Sequence, residues 1–220
     1  MKLSVIIPVY NERETIDRIL EQVAAVPLEK EIIVVDDGSS DGTAESLAAS
    51  RLRNLRFLRH SRNRGKGAAI RTALAAASGD VVVIQDADLE YDPQDYLKLL
   101  APIERGEAQV VYGVRDLGRQ RGLLRWGNRF LTWVTNLLYG TRLADMETCY
   151  KMMTTAVARS LDLRANRFEI EPEITVKLIR GGHRIHQVPI HYAPRAQKKL
   201  SPWRDGLPAL WTLVRYRFLD

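Results

Sequence analysis

Two acidic clusters in this chain have residue types and spacings that could do chemistry. Asp86-Ala87-Asp88 follows one apolar run, and Asp36-Asp37-Gly38-Ser39 closes an earlier one. Carboxylates at i and i+2 on an extended segment can point the same way, because side chains alternate with a period of two. Oxygen-only donors of this kind suit Mg2+ or Mn2+, which take one or two protein carboxylates and complete their shell with water and phosphate oxygens. A diphosphate bound through a divalent metal is the first chemistry to which these residues point.

The loop from Val35 through Asp36, Asp37, Gly38, Ser39, Ser40, Asp41 and Gly42 to Thr43 mixes turn residues with three carboxylates. Gly38 and Gly42 permit tight backbone geometry, and Ser40 or Asp41 can cap the helix that follows. Capping accounts for Asp41 but not for the two Asp before it. Their carboxylates could accept hydrogen bonds from a nucleobase N–H or a ribose hydroxyl; a structural turn is the alternative. A lone Asp-x-Asp is weak evidence, but one that follows a nucleotide-type acidic loop on an earlier strand is much stronger. The run Asn63-Arg64-Gly65-Lys66-Gly67-Ala68-Ala69 lacks Walker spacing. A Gly-rich helix start can still approach phosphate closely, so its role stays open.

These residues need elements to position them. Leu3–Val9, Ile32–Val35, Leu55–Leu58, Val81–Ile84 and Gln109–Tyr112 read as short strands rich in Val and Ile, several apolar on both faces. Thr15–Val26 sets Ile16, Ile19, Leu20 and Val23 on one helical stripe, and Thr43–Ser50 and Gly67–Ala77 are Ala-rich helix formers. Alternation of this kind predicts an open, mostly parallel α/β sheet with helices on both faces. Ligands of such sheets bind beyond the carboxyl ends of the strands. Both acidic clusters fall there, as does the turn from Pro8 to Glu12.

The pattern changes near residue 115. Arg119–Gly140 reads as an amphipathic helix with Trp126, Phe130, Trp133, Val134, Leu137 and Leu138 on its apolar stripe. After Asp145 come a mixed segment, a helix around Glu171–Arg180, a strand at Arg184–Pro189, a basic turn at Arg195–Ser201 and a second amphipathic stretch, Leu207–Leu219. Trp and Leu on one face with Arg on the other suit an interfacial helix; packing of both stripes against the sheet or each other is the alternative.

With 220 residues, 45% of them hydrophobic, the chain is expected to form one domain with an ample core. Cys149 is the sole cysteine, so nothing suggests an oxidising compartment. The first residues run into a strand pattern rather than a leader, and no stretch approaches the ~20 apolar residues that span a bilayer. Net charge is +6, and residues 113–142 and 195–217 each carry six basic residues against one Asp. This basicity late in the chain suggests anionic partners. Nucleic acid is not expected, because acidic clusters at the binding edge would repel its phosphates. A nucleotidyltransferase is disfavoured, because Pro8 to Glu12 stand where a Gly-rich loop would follow the first strand.

Taken together, Val5 through Glu12, Val35 through Thr43, Asn63 through Ala69 and Gln85 through Leu89 resemble the family-2 inverting glycosyltransferases of the GT-A, Rossmann-like fold. Within that family the chain looks most like dolichol-phosphate mannose synthase and other polyprenyl-phosphate glycosyltransferases. Support in the second half is looser, from Tyr112 to Arg115, Asp145 to Lys151, Phe168 to Glu171 and Tyr192 to Arg195. The resemblance implies that Pro8, Tyr10, Glu12, Val35 and Asp37 hold the nucleoside of the donor. It implies that Asp86 and Asp88 hold Mg2+ or Mn2+ and the diphosphate, with Ala87 lining the site. Glu90 stands near the metal where related enzymes often carry Gln, and Arg115 and Arg195 would meet phosphate groups. A Gly usually follows that second Arg, whereas here the run is Arg195-Ala196-Gln197-Lys198-Lys199.

The resemblance thus implies a single glycosyltransferase domain over 1–220. Residues 1–114 would bind the nucleotide sugar, and 115–220, with the C-terminal amphipathic helices, the acceptor. The expected reaction moves one sugar from GDP-mannose or UDP-glucose to a dolichyl or undecaprenyl phosphate, with inversion. The expected location is cytoplasmic, peripheral on the cytoplasmic face of the membrane, with a membrane-anchoring partner subunit as one possibility. Two readings compete: transfer to a hydroxyl of a saccharide, and a nucleotide-binding module without turnover. A hydroxyl needs a general base, for which Glu169, Glu171 or Glu173 is a candidate, although a helix N-terminus also favours carboxylates. A phosphate monoester, with a second pKa of about 6, needs positioning cations instead.

Overall fold

Runs of Val, Ile and Leu too apolar to leave either face in water become the middle of a covered sheet. The computed structural model of the chain describes residues 1–119, 122–195 and 202–219. In chain order the elements are β1 (Leu3–Val9), α1 (Ile16–Ala25), β2 (Lys30–Asp36), α2 (Thr43–Ala49), β3 (Leu55–Arg59), α3 (Lys66–Ala76), β4 (Val81–Ile84), α4 (Tyr96–Glu104) and β5 (Val110–Arg115). Then follow α5 (Gly122–Tyr139), β6 (Lys151–Thr154), α6 (Thr155–Ser160), α7 (Ile170–Arg180), β7 (Ile185–Ile190) and α8 (Pro202–Phe218).

The strands form one sheet in the order β3-β2-β1-β4-β6-β5-β7. β6 runs antiparallel to β4 and β5, and the other pairings are parallel. The order reverses between β1 and β4, since β2 and β3 lie on one side of β1 and everything later lies on the other. That reversal opens a crevice at the carboxyl ends of β1 and β4. Because β6 is antiparallel, the residues that lead into it lie at this same edge.

The α1 stripe is buried as its spacing predicts, with Ile16, Ile19, Leu20 and Val23 all inside. Each such side chain contributes roughly 1.5–3 kcal/mol relative to exposure. The mixed segment after Asp145 contains β6 and α6, which local periodicity does not reveal. The α4 helix, which contains Pro102, is equally silent in sequence. The basic turn of residues 196–201, with Ala196, Gln197, Lys198 and Lys199, lies outside the described residues.

A second, smaller core joins α5, α7 and α8 through Leu131, Val134, Met146, Val176, Ala209 and Leu213. The α5 stripe is therefore divided. Val134 packs inward, whereas Trp126, Phe130, Trp133 and Leu137 are exposed, as is Trp211 on α8.

Candidate functional site

The crevice begins where β1 and β4 part. Their pairing ends at Ile6 and Ile84, and the Gln85 N–H donates back to the Ile6 carbonyl. Pro8, which has no N–H to offer, lies just beyond. The two loops on the β1 and β2 side are laced together. Asn11 adopts φ +52° and donates its N–H to Ser39 Oγ, while its Oδ1 accepts from the Ser40 N–H. The Glu12 N–H donates to Thr43 Oγ1. Tyr10 is exposed at this lip and Pro8 half-buried, whereas Val35 is fully buried in β2 between β1 and β3.

Asp36 and Asp37 are both buried. Asp36 accepts from the Ser39 N–H and faces Arg59 Nε at 3.1 Å. Asp37 accepts from the N–H groups of Arg64 and Gly65 and lies 2.6 Å from His60 Nδ1. These bonds settle the glycine-rich run. Its first N–H groups go to Asp37, and the Ala68 N–H donates to the Asn166 carbonyl. Gly65, at φ +96°, and Gly67 instead let α3 approach the 165–166 backbone, where a Cβ on Gly67 would stand 2.4 Å from the Ala165 carbonyl oxygen.

That close approach places Lys66, which sequence reasoning did not single out. Its Nζ lies 2.8 Å from Asp86 Oδ1 and 2.9 Å from Glu171 Oε1. Glu171 also pairs with the fully buried Lys151. Burial opposes ionisation of Asp86, but Lys66 outweighs it and the carboxyl stays below its ordinary range. No acid within a helical turn of Lys66 advertises this pairing in the sequence.

Asp88 stands apart from that chain. Burial, then Asp86 and Glu90, push its carboxyl up to about 6. Leu89 follows at φ +62°, a left-handed backbone that a bulky residue rarely adopts. The turn carries Glu90 inward, where Oε2 accepts from Tyr192 Oη and Oε1 from the Arg195 N–H. Arg195 then spans the crevice. Its Nη2 is 2.8 Å from Glu12 Oε1 and 3.3 Å from Asp88 Oδ2. Three residues far apart in sequence, Glu12, Asp88 and Arg195, thus meet.

At the end of β5, Arg115 and Asp145 form a buried two-pronged pair, with Nε to Oδ2 at 2.6 Å and Nη2 to Oδ1 at 2.8 Å. The guanidinium also lies over the Tyr192 ring. Behind, Gln85 Oε1 accepts from both Tyr96 and Tyr150 hydroxyls. The three glutamates considered as bases are engaged. Glu169 accepts from the Asn166 and Arg167 N–H groups, Glu173 from those of Arg164 and Ala165, and Glu171 holds the two lysines. Glu147 differs. Its Oε1 is sealed from solvent with no hydrogen-bond partner among the described residues.

Among the described residues no group of three His, Cys, Asp or Glu is arranged to hold a metal ion. The Asp86 and Asp88 pair nevertheless suits a divalent ion that keeps several water or phosphate ligands. Its donors are all oxygen, and the crowding that raises Asp88 is what a cation would relieve.

A family model described as Glycosyl transferase family 2 matches residues 4–164. Among curated relatives, dodecaprenyl-phosphate galacturonate synthase of Rhizobium johnstonii is 28% identical over 183 residues, which cover 78% of this chain and 53% of that protein. Undecaprenyl-phosphate 4-deoxy-4-formamido-L-arabinose transferase of Pseudomonas fluorescens is 31% identical over 213 residues, 92% of this chain and 61% of the relative. The chain thus spans between half and two thirds of the length of these two relatives. Glucosyl-3-phosphoglycerate synthase of Mycobacterium tuberculosis, crystallised with Mn2+, UDP and glucosyl-3-phosphoglycerate, superposes over 100% of this chain and 81% of its own with a TM-score of 0.81 at 23% identity, a likeness of fold.

Proposed function

The chain belongs to glycosyl transferase family 2, and from that premise we propose that it transfers one sugar from a nucleotide-sugar donor to a polyprenyl phosphate. The observation that carries this reading is the arginine set around the carboxylates. Arg195, still partly exposed, bridges Glu12 and Asp88, and Arg115, paired with Asp145, lies behind it on the β5 side, while Glu169, Glu171 and Glu173 are also committed to protein partners. A site that supplies cations suits a phosphate acceptor better than a hydroxyl. The named relatives are polyprenyl-phosphate enzymes, which favours the same acceptor.

In this reading residues 1–114 bind the donor and 115–220 the acceptor. The nucleoside lies over the lip formed by Pro8, Tyr10 and Glu12, with Val35 and Asp37 buried behind it. Asp86 and Asp88 hold Mg2+ or Mn2+, with Ala87 between them. Glu90 backs them and fixes the Arg195 backbone. Such an ion, held by Asp86 and Asp88, would supply Lewis-acid neutralisation of the diphosphate charge. Lys66 keeps Asp86 ionised and fixed. Arg195 and Arg115 steady phosphate oxygens as charge shifts to the leaving group. The sugar passes through an oxocarbenium-like state, as in glycoside hydrolysis, and a single displacement inverts the anomeric carbon. GDP-mannose and UDP-glucose are the donors to try first. The lipid phosphate brings the reaction to a membrane surface, and the cytoplasmic face is where nucleotide sugars would reach it.

The test is a transfer assay with undecaprenyl phosphate, Mn2+ or Mg2+, and labelled GDP-mannose, UDP-glucose or UDP-GlcNAc in turn. Label should enter the organic extract with one donor only, and Asp88→Ala should abolish it while the protein keeps its unfolding midpoint. Label that appears only with saccharide acceptors would overturn the lipid-phosphate reading.

A further inference from the structure

Each carboxylate of the Asp86 and Asp88 pair has a cation of its own, and the two cations are held differently. Lys66 sits on Asp86 and also on Glu171, and its side chain is only 13% exposed. Arg195 sits on Asp88, with Nη2 3.3 Å from Oδ2, and its side chain is 29% exposed. The same guanidinium grips Glu12, with Nη2 2.8 Å from Oε1 and Nη1 3.3 Å from Oε2. One fork thus covers a carboxylate of the β1 lip and a carboxylate of the Asp-x-Asp turn.

The Arg195 backbone is fastened independently of its side chain. The segment after β7 lies along the turn that carries Asp88. The His191 N–H donates to Asp95 Oδ2, the Ala193 N–H to the Glu90 carbonyl and the Arg195 N–H to Glu90 Oε1, while Tyr192 Oη donates to Glu90 Oε2. With its backbone anchored at the rim, Arg195 can leave Glu12 and Asp88 by side-chain rotation alone, and solvent already reaches one side of it. Lys66 has no comparable route, because an almost enclosed ammonium parted from Asp86 and Glu171 would lose both counter-charges. A guanidinium and a divalent ion cannot share Asp88 at short range, since like charges repel strongly where water is thinned out. Arginine cannot shed its proton to relieve that conflict. It has to move.

We propose that Arg195 is an exchangeable counter-ion: it covers Glu12 and Asp88 until the donor nucleoside and the divalent ion take those carboxylates, and its freed fork then grips the acceptor phosphate. This rests on the lipid-phosphate reading and ties recognition of that acceptor to binding of the donor. A phosphate that arrives first meets a fork already filled by two carboxylates. After the exchange the fork is open to a two-pronged contact with phosphate oxygens.

Mn2+ alone is the probe, so the exchange is tested without a donor or an acceptor. Its dissociation constant is measured at neutral pH by electron paramagnetic resonance for the wild type, Arg195→Gln and Arg195→Lys, with unfolding midpoints as the check on folding. Arg195→Gln should bind Mn2+ about tenfold more tightly, because the uncovered fraction of the site rises toward one. Arg195→Lys keeps the charge but not the fork. It should also bind more tightly than the wild type, by about threefold or more. Transfer to undecaprenyl phosphate, with the donor the wild type uses, should move the other way, with the acceptor KM of Arg195→Gln raised about tenfold. A residue with a merely structural role would weaken both. Mn2+ binding by Arg195→Gln that equals or falls below that of the wild type would overturn the proposal. So would Arg195→Lys that binds like the wild type, because a nearby charge rather than a bridging fork would then explain the difference. Mn2+ bound by none of the three would overturn the metal assignment and the exchange with it. The expected Mn2+ shifts in a protein that transfers to no lipid phosphate would support the exchange and overturn the acceptor reading.

Discussion

At the scale of single residues, the site is a chain of alternating charge in which one member is left over. Asp86, Lys66, Glu171 and Lys151 neutralise one another in sequence, Arg115 and Asp145 close a second pair, and Glu147 lies beside both. A leftover buried acid has a thermodynamic signature that needs no substrate. Burial raises the folded-state pKa of Glu147 from 4.5 to about 7. Between those values the folded chain binds more protons than the unfolded one, so stability is full below the lower value and declines as pH rises through the upper. Glu147→Gln removes that decline. The variant should therefore gain stability relative to the wild type as pH increases from 4.5 to 7, and hold the gain above it. Thermal unfolding at pH 5 and pH 8 checks this: the Tm difference between variant and wild type should be larger at pH 8. A difference independent of pH would mean that the carboxyl is solvated and ordinary.

At the scale of elements, legibility in the sequence followed periodicity. β1 and β4 appear at the residues predicted, because four or more consecutive apolar residues leave few alternatives, and α1 carries its predicted stripe. β6 was not legible, because Lys151-Met152-Met153-Thr154 is short and owes its place to partners on either side, β4 and β5. The site shows the same division. The acidic clusters announce themselves locally, but the pairing of Lys66 and the surroundings of Glu147 arise from α7 and the ion pairs around it, which no local pattern encodes. Glycines make the point testable. Gly67 lets α3 press against the 165–166 backbone, whereas a Cβ on Gly127 of α5 would meet nothing within 4 Å. Gly67→Ala should cost about 1–3 kcal/mol, as overpacking does. Gly127→Ala should instead stabilise by about 0.4–1 kcal/mol, because it only restricts the unfolded chain. Urea unfolding midpoints of the two variants should move in opposite directions. Equal shifts would show that the α3 approach is looser than its geometry implies.

At the scale of the whole molecule, the small core of α5, α7 and α8 leaves an outer apolar face. Trp126, Phe130, Trp133 and Leu137 lie along α5, and Trp211 on α8, each at least half exposed. Among the described residues no helix is long and apolar enough to cross a membrane. An exposed aromatic stripe on helices that carry excess basic charge is the pattern of an element lying in a lipid interface. Residues 113–142 and 195–217 supply that charge, and each basic residue near an anionic surface adds about 1 kcal/mol of attraction. A polyprenyl phosphate keeps its chain in the bilayer, so an enzyme that takes it as acceptor has to bring its crevice to the headgroup level. The apolar face and the Arg-rich acceptor half would then serve one purpose, docking the second half of the chain on lipid while the donor lip stays in water. Liposome flotation with and without anionic lipid tests this directly. The wild type should float with anionic vesicles at low salt and be partly released at high salt. Replacing Trp126, Trp133 and Trp211 together by Ala should cut the bound fraction severalfold without lowering the unfolding midpoint, because none of the three is in the small core. A triple variant that floats as well as the wild type would remove the membrane from this surface and assign it to protein, either a partner subunit or a further part of a longer chain.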